Sequence, residues 1–206
     1  MKSSIKNYCD RRSAEFDLIS EERKTELLKL SAYLSYKETD PVNLVFICTH
    51  NSRRSIFGQV WAKVAAYYYG MGNVETHSAG TQETKIASNV VYTFSSLGFD
   101  LVVAGDEENS RHFFIFDERS NACVCQSKTL EHHSLPESEF GAIMTCTSAD
   151  EACPIVSGSE LRLSLPFKDP KDSDGTSNAQ QEYRKCSNQI AREMLFTFAK
   201  IRKSEH

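Results

Sequence analysis

Val42-Asn-Leu-Val-Phe-Ile-Cys48 is an apolar run rich in β-branched residues, the pattern of a buried strand. A polar loop follows. Ile56, Val60, Trp61, Val64 and Tyr68 then recur at helical spacing across 55–69, and Gly70 and Gly72 end that helix. Val74–Gly80 predicts a second strand and turn, Ser88–Leu97 a second helix closed by Gly98, and Phe99–Val103 an extended segment. His112–Phe116 and Ala122–Cys125 flank Asp117-Glu-Arg-Ser-Asn121, which predicts a β-hairpin inserted at the surface or edge, over about residues 106–130. Phe140–Cys146 and Leu161–Pro166 are further strands, followed by a polar loop over 168–178 and a helix of roughly 180–201. Strands alternating with helices predict an α/β domain, a parallel sheet wrapped on both faces.

Residues 1–40 form a helical extension ahead of the main domain, 41–206. Ser20 followed by Glu21 and Glu22 is a helix start, with a capping hydroxyl and then acids near the positive end of the dipole. Leu27, Leu30 and Leu34, with Leu28 and Tyr33 beside them, make an apolar stripe, and Asp40-Pro41 stops the helix. The extension is expected to pack over part of the main domain.

With 40% hydrophobic and 25% charged residues, the composition is that of an ordinary globular protein. A net charge of −4 gives no electrostatic basis for nucleic-acid binding. No signal-peptide core and no membrane-length apolar run is present, so neither export nor membrane insertion is expected. The seven cysteines (9, 48, 123, 125, 146, 153 and 186) are an odd number in a chain too long to need disulfide staples. They are expected to be reduced thiols, and the location cytoplasmic.

The chemistry concentrates in Cys48-Thr-His-Asn-Ser-Arg-Arg54-Ser55, between a strand and a helix. Ligands of open α/β sheets bind beyond the carboxyl ends of strands, where a helix N-terminus offers unpaired N–H groups to an anion. Thr49, His50, Asn51, Ser52, Arg53, Arg54 and Ser55 are therefore candidate oxyanion-binding residues. Arg54 offers a two-pronged grip on two anion oxygens. The guanidinium and the helix dipole favour the thiolate of Cys48, which marks it as a nucleophile. Ser55 is placed to donate to that thiolate, and Asn51 to pin the loop. The alternative is a strand cysteine packed as a small hydrophobe.

Cys48 to Ser55 resembles the C-x5-R-S phosphate-binding loop of the low-molecular-weight protein tyrosine phosphatase family, which includes the thioredoxin-linked arsenate reductases. Phe46-Ile-Cys48-Thr49, Asn51-Ser52, Arg54-Ser55 and Trp61 are most similar to the reductase branch. The resemblance spans about residues 42–201. It implies a three-layer α/β/α fold with a central four-stranded parallel sheet, and catalysis by Cys48 and Arg54 on phosphate or arsenate. It also implies Asp169, in Phe167-Lys-Asp169-Pro170, as general acid, with Asp172 and Asp174 as nearby competitors. Position 53 departs from the pattern: arginine stands where both branches usually carry a second loop cysteine, so a protective disulfide is lost. His50 also replaces a frequent glycine.

Cys146-Thr-Ser-Ala-Asp-Glu-Ala-Cys153-Pro154 resembles the reductase segment whose two cysteines relay a disulfide away from the nucleophile. The resemblance then implies an arsenate reductase with a Cys48/Cys146/Cys153 relay, no bound cofactor, and an external thiol reductant such as thioredoxin or glutaredoxin. The alternatives are a phosphatase acting on a phosphotyrosine protein or aryl phosphates, and a non-catalytic phosphate-loop module. Cys123-Val-Cys125 with His132-His133 lacks the C-x2-C spacing of a zinc site, so no metal is expected.

Overall fold

In the computed structural model, which describes residues 1–37, 41–106, 108–119 and 122–201, the first apolar run is strand β1 (Val42–Cys48). It pairs in parallel with β2 (Val74–Gly80) on one side and with β6 (Phe140–Met144) on the other; β7 (Ser159–Ser164) completes the order β2-β1-β6-β7. In this register Cys48 stands opposite Gly80, and Ile47 opposite Met144. The carboxyl ends of three strands thus meet at one edge, with the Cys48 loop among them.

The alternation of β1 divides the core. Leu44 and Phe46 join the larger apolar cluster under five helices: α1 (Ser3–Ser13), α2 (Glu21–Tyr36), α3 (Arg54–Tyr68), α4 (Ser88–Ser96) and α6 (Ala179–Ala199). Val45 and Ile47 point the other way, into a smaller cluster with Met144, Cys146 and Ala149, covered by the short helix α5 (Thr147–Ala152) and the segment around Leu130 and Leu135. This is the expected three-layer α/β/α arrangement around a four-stranded parallel sheet.

The insertion is larger than a hairpin. Asp100–Ala104 is β3, which pairs antiparallel with β4 (Arg111–Ile115), and β4 with β5 (Ala122–Cys125), giving a separate three-stranded sheet. The row Leu101–Phe114–Cys123 faces the core and the row Val102–Phe113–Val124 faces out. The extended segment after α4 therefore opens this second sheet. Ser120 and Asn121, in the turn expected between β4 and β5, lie outside the described residues, as does Asp40 of the expected stop to α2.

The N-terminal helices share the main core. Ser20 caps α2, its Oγ accepting from the Arg23 N–H at 3.3 Å, while Leu27, Leu30 and Leu34 are fully buried. Leu28, expected on the stripe, is instead 45% exposed. From α1, Tyr8 stacks on Trp61 of α3 at 4.8 Å, and the Trp61 indole N–H donates to Ser187 Oγ of α6. Because Leu30 has no exposed surface, Leu30→Ala is expected to cost about 3 kcal/mol. Urea denaturation should show that loss in one global transition; unchanged stability would make α2 peripheral to the core.

Candidate active site

Cys48 ends β1, and the chain must turn at once to start α3 at Arg54. Asn51 makes that turn with φ of +45°, a left-handed conformation that asparagine tolerates better than most residues. Its side chain is used at both ends: Nδ2 donates to Ser55 Oγ at 2.8 Å, and Oδ1 accepts from the Lys128 N–H at 2.9 Å. Ser55 Oγ in turn lies 3.1 Å from Cys48 Sγ. Donors outside the loop take its carbonyls. Gln82 N and Thr81 Oγ1 donate to Thr49 O, Thr84 Oγ1 and Ser127 Oγ to His50 O, and Ala87 N to Ser52 O. Ser52 Oγ donates to Lys85 O.

The two adjacent arginines reach the polar loop after β7. Arg54 Nη1 donates to Phe167 O at 3.1 Å, and Nη2 to Asp169 Oδ2. Arg54 Nε is buried and has no partner among the described residues. Asp169 also accepts from the Lys171 N–H, opening the 3-10 turn Pro170–Ser173. Arg53 donates from Nε to the Tyr183 hydroxyl and from Nη2 to Asp174 Oδ2, while Tyr183 donates to Asp174 Oδ1. One arginine thus holds each end of the loop segment 169–174. The N-terminal extension joins in through Arg23, whose guanidinium lies over the Phe167 ring at 4.7 Å.

The predicted site residues are therefore brought together from Cys48 to Ser55, with Asp169 attached through Arg54. His50 and Arg53 line a groove of roughly 800 Å³ beside the loop, together with Lys85, His112 and Lys171. Cys146 stands just past the end of β6, with its Sγ 3.5 Å from Thr49 Oγ1. It caps α5 by accepting from the Ala149 N–H at 3.3 Å. Cys153, half-buried, closes the other end of that helix, and both cysteines are free thiols. Sequence reasoning missed Thr84, Ser127 and Lys128, which hold the loop from distant segments. It also missed Tyr183, an apparent core tyrosine of α6. No local motif marks any of them.

The order β2-β1-β6-β7, with the Cys48 loop leading from a central strand into a helix, defines a three-layer α/β fold. It is the fold of the low-molecular-weight protein tyrosine phosphatases. No family model and no curated protein matches the chain. Among solved structures, it is similar to YwlE from Bacillus subtilis, an arginine phosphatase, at 17% identity and a TM-score of 0.54 over 79% of this chain and 99% of that one. A low-molecular-weight protein tyrosine phosphatase from T. tengcongensis is 14% identical, with a TM-score of 0.52 over 77% of this chain and 99% of that one. An arsenate reductase in its oxidized state is 18% identical, with a TM-score of 0.50 over 78% and 98%.

Burial disfavours the Asp174 carboxylate, but the Tyr183 hydroxyl and the Arg53 guanidinium outweigh it and hold the carboxyl below its ordinary value. Burial likewise pushes the Tyr183 hydroxyl up to about 12. A carboxyl whose pKa falls on folding adds stability above its unfolded value, about 3.9, and that stability is lost as pH falls through the folded value. Asp174→Asn is thus expected to be less stable than the wild type at neutral pH, with the gap closing as pH falls below about 4. Urea unfolding at a series of pH values measures this; a constant gap would mean that the carboxylate charge is not what holds Arg53.

Proposed function

We propose that the chain is a member of the low-molecular-weight protein tyrosine phosphatase family and a cysteine-thiolate enzyme acting on a tetrahedral oxyanion. One arrangement carries the reading: Cys48 Sγ against Ser55 Oγ in a loop pinned by Asn51, with Arg54 joined to Asp169 beside it. The loop amides and the free Arg54 Nε–H take the anion's oxygens. The Cys48 thiolate attacks the central atom, and Asp169 protonates the departing oxygen.

The favoured substrate is arsenate, because a second thiol stands against the loop: Cys146 Sγ lies 3.5 Å from Oγ1 of Thr49, the residue after the nucleophile. Attack on arsenate forms a Cys48–arsenic bond and releases water. The Cys146 thiolate then attacks Cys48 Sγ; the sulfur–arsenic bond breaks and its electron pair stays on arsenic. Arsenite leaves, and a Cys48–Cys146 disulfide remains. Cys153 attacks Cys146, freeing Cys48 as thiolate and moving the disulfide to Cys146–Cys153. An external dithiol of the thioredoxin or glutaredoxin class returns the two electrons, in a reducing compartment such as the cytoplasm. The last transfer requires motion. Seven helical steps hold Cys146 and Cys153 about 10 Å apart, whereas a disulfide needs Cα atoms within about 7 Å. In the alternative, water assisted by Asp169 hydrolyses a cysteinyl-phosphate from a phosphotyrosine protein or aryl phosphate.

A side-by-side assay of arsenate reduction, with each thiol system, and of p-nitrophenyl phosphate hydrolysis tests the assignment. Cys48→Ser should abolish both activities, and Asp169→Asn should slow aryl phosphate hydrolysis by about 10²-fold or more. Cys146→Ser and Cys153→Ser should stop arsenate turnover while hydrolysis survives. Arsenate reduction at the wild-type rate in both relay variants would leave only the hydrolase.

A further inference from the structure

The edge strands β2 and β5 of the two sheets both line a second cavity of roughly 660 Å³ that none of the proposed chemistry uses. Its wall carries three cations, Lys63, Arg111 and Lys128, against the single carboxylate of Glu75. Glu75 is already engaged by Lys63 at 2.9 Å. Lys128 is 6% exposed, and among the described residues no carboxylate pairs with it; its Nζ reaches the Gln126 carbonyl at 3.5 Å, the outer limit of a hydrogen bond. Thr76, on the same wall, keeps a buried hydroxyl with no partner among the described residues.

A cation taken out of water is normally matched by an anion. Here burial lowers the pKa of Lys128, with only the Cys125 and Cys123 thiols acting the other way. The cavity therefore combines a buried ammonium lacking a counter-ion, an unsatisfied hydroxyl, and an exposed Arg111 at the rim. Its place is also informative. The Lys128 main chain donates to Asn51 and accepts from the Gly80 N–H, so the ammonium sits on the residue that braces the Cys48 loop.

We infer that this cavity is a second oxyanion site, separate from the Cys48 loop, which takes the phosphate groups of a small soluble molecule. Lys128 Nζ is the central donor, Thr76 Oγ1 a neutral one, and Arg111 closes the rim. The volume exceeds what a single orthophosphate fills, so a diphosphate or a phosphorylated metabolite fits better than the bare ion.

Calorimetric titration with inorganic pyrophosphate tests this in the full-length protein. An Arg54→Met background disables the catalytic loop and isolates the cavity. One equivalent is expected to bind there, and Lys128→Met in the same background should abolish it. Lys128→Met is close in volume and keeps every main-chain bond; should it fail to fold, Arg111→Ala at the exposed rim is expected to weaken binding about tenfold. No binding to Arg54→Met, or undiminished binding after Lys128→Met or Arg111→Ala, would overturn the site.

Discussion

The two ends of the Asn51 amide hold the molecule's chemistry in place. Its carbonyl oxygen takes the Lys128 N–H and its amide reaches Ser55, whose hydroxyl meets Cys48. An asparagine is suited to this position because it accepts the left-handed backbone and fills two hydrogen-bonding duties at once. The turn is also tight against its neighbour strand. A Cβ at Gly80 would lie 2.8 Å from Asn51 N, Thr49 O and Gln82 O, all main-chain atoms that cannot swing away. The parallel register that sets Gly80 opposite Cys48 is thus part of the site, and a one-residue slip would put a side chain where the loop passes.

A second set of constraints runs from the extension to the loop segment 169–174. Arg23 of α2 pairs with buried Glu193 of α6 at 2.8 Å and covers Phe167, whose carbonyl receives Arg54. Arg53 and Tyr183 hold Asp174. The two arginines consequently do unlike work despite being neighbours in sequence: α3 begins at Arg54, and Arg53 precedes it with an irregular backbone that points its guanidinium to a different partner. Where a loop cysteine would offer a reversible disulfide, Arg53 offers a tether to the segment carrying Asp169.

Legibility in the sequence followed sequence distance. β1, the loop and α3 were readable because strand period, loop polarity and helical period succeed one another within thirty or so residues, each with its own local cause. Cys48, Asn51 and Ser55 fall inside that stretch and are linked through the Ser55 hydroxyl, whereas Arg54 turns to Phe167 and Asp169. The second sheet was only half readable. Asp100–Ala104 carries exposed valines at 102 and 103, which give no clean alternation, and the pairing with β4 that makes it a strand is a tertiary fact. Leu28 was misplaced because the stripe on α2 is narrower than its leucine content. The links Arg53–Asp174 and Asn51–Lys128 join residues more than seventy positions apart, beyond any local rule.

The proposed thiol relay would set one demand that the sheet cannot meet, since Cys146, just past the end of β6, is held where it contacts Thr49. Movement must come from the other side, and α5 is built to give way. It has six residues, only Ala149 of them buried, and its first cap is the sulfur of Cys146 itself. If Cys146 attacked Cys48 as proposed, it would no longer be held in the capping geometry, and the first redox step would remove support from the helix that Cys153 closes. The far end is tethered by Arg162 of β7, which donates to the carbonyls of Asp150 and Cys153 and to the Asp150 carboxylate. Those bonds oppose the collapse and favour return of the helix once the thiols are reduced. On this account the chemistry supplies the trigger and Arg162 the restoring force, with the four-stranded sheet unmoved throughout.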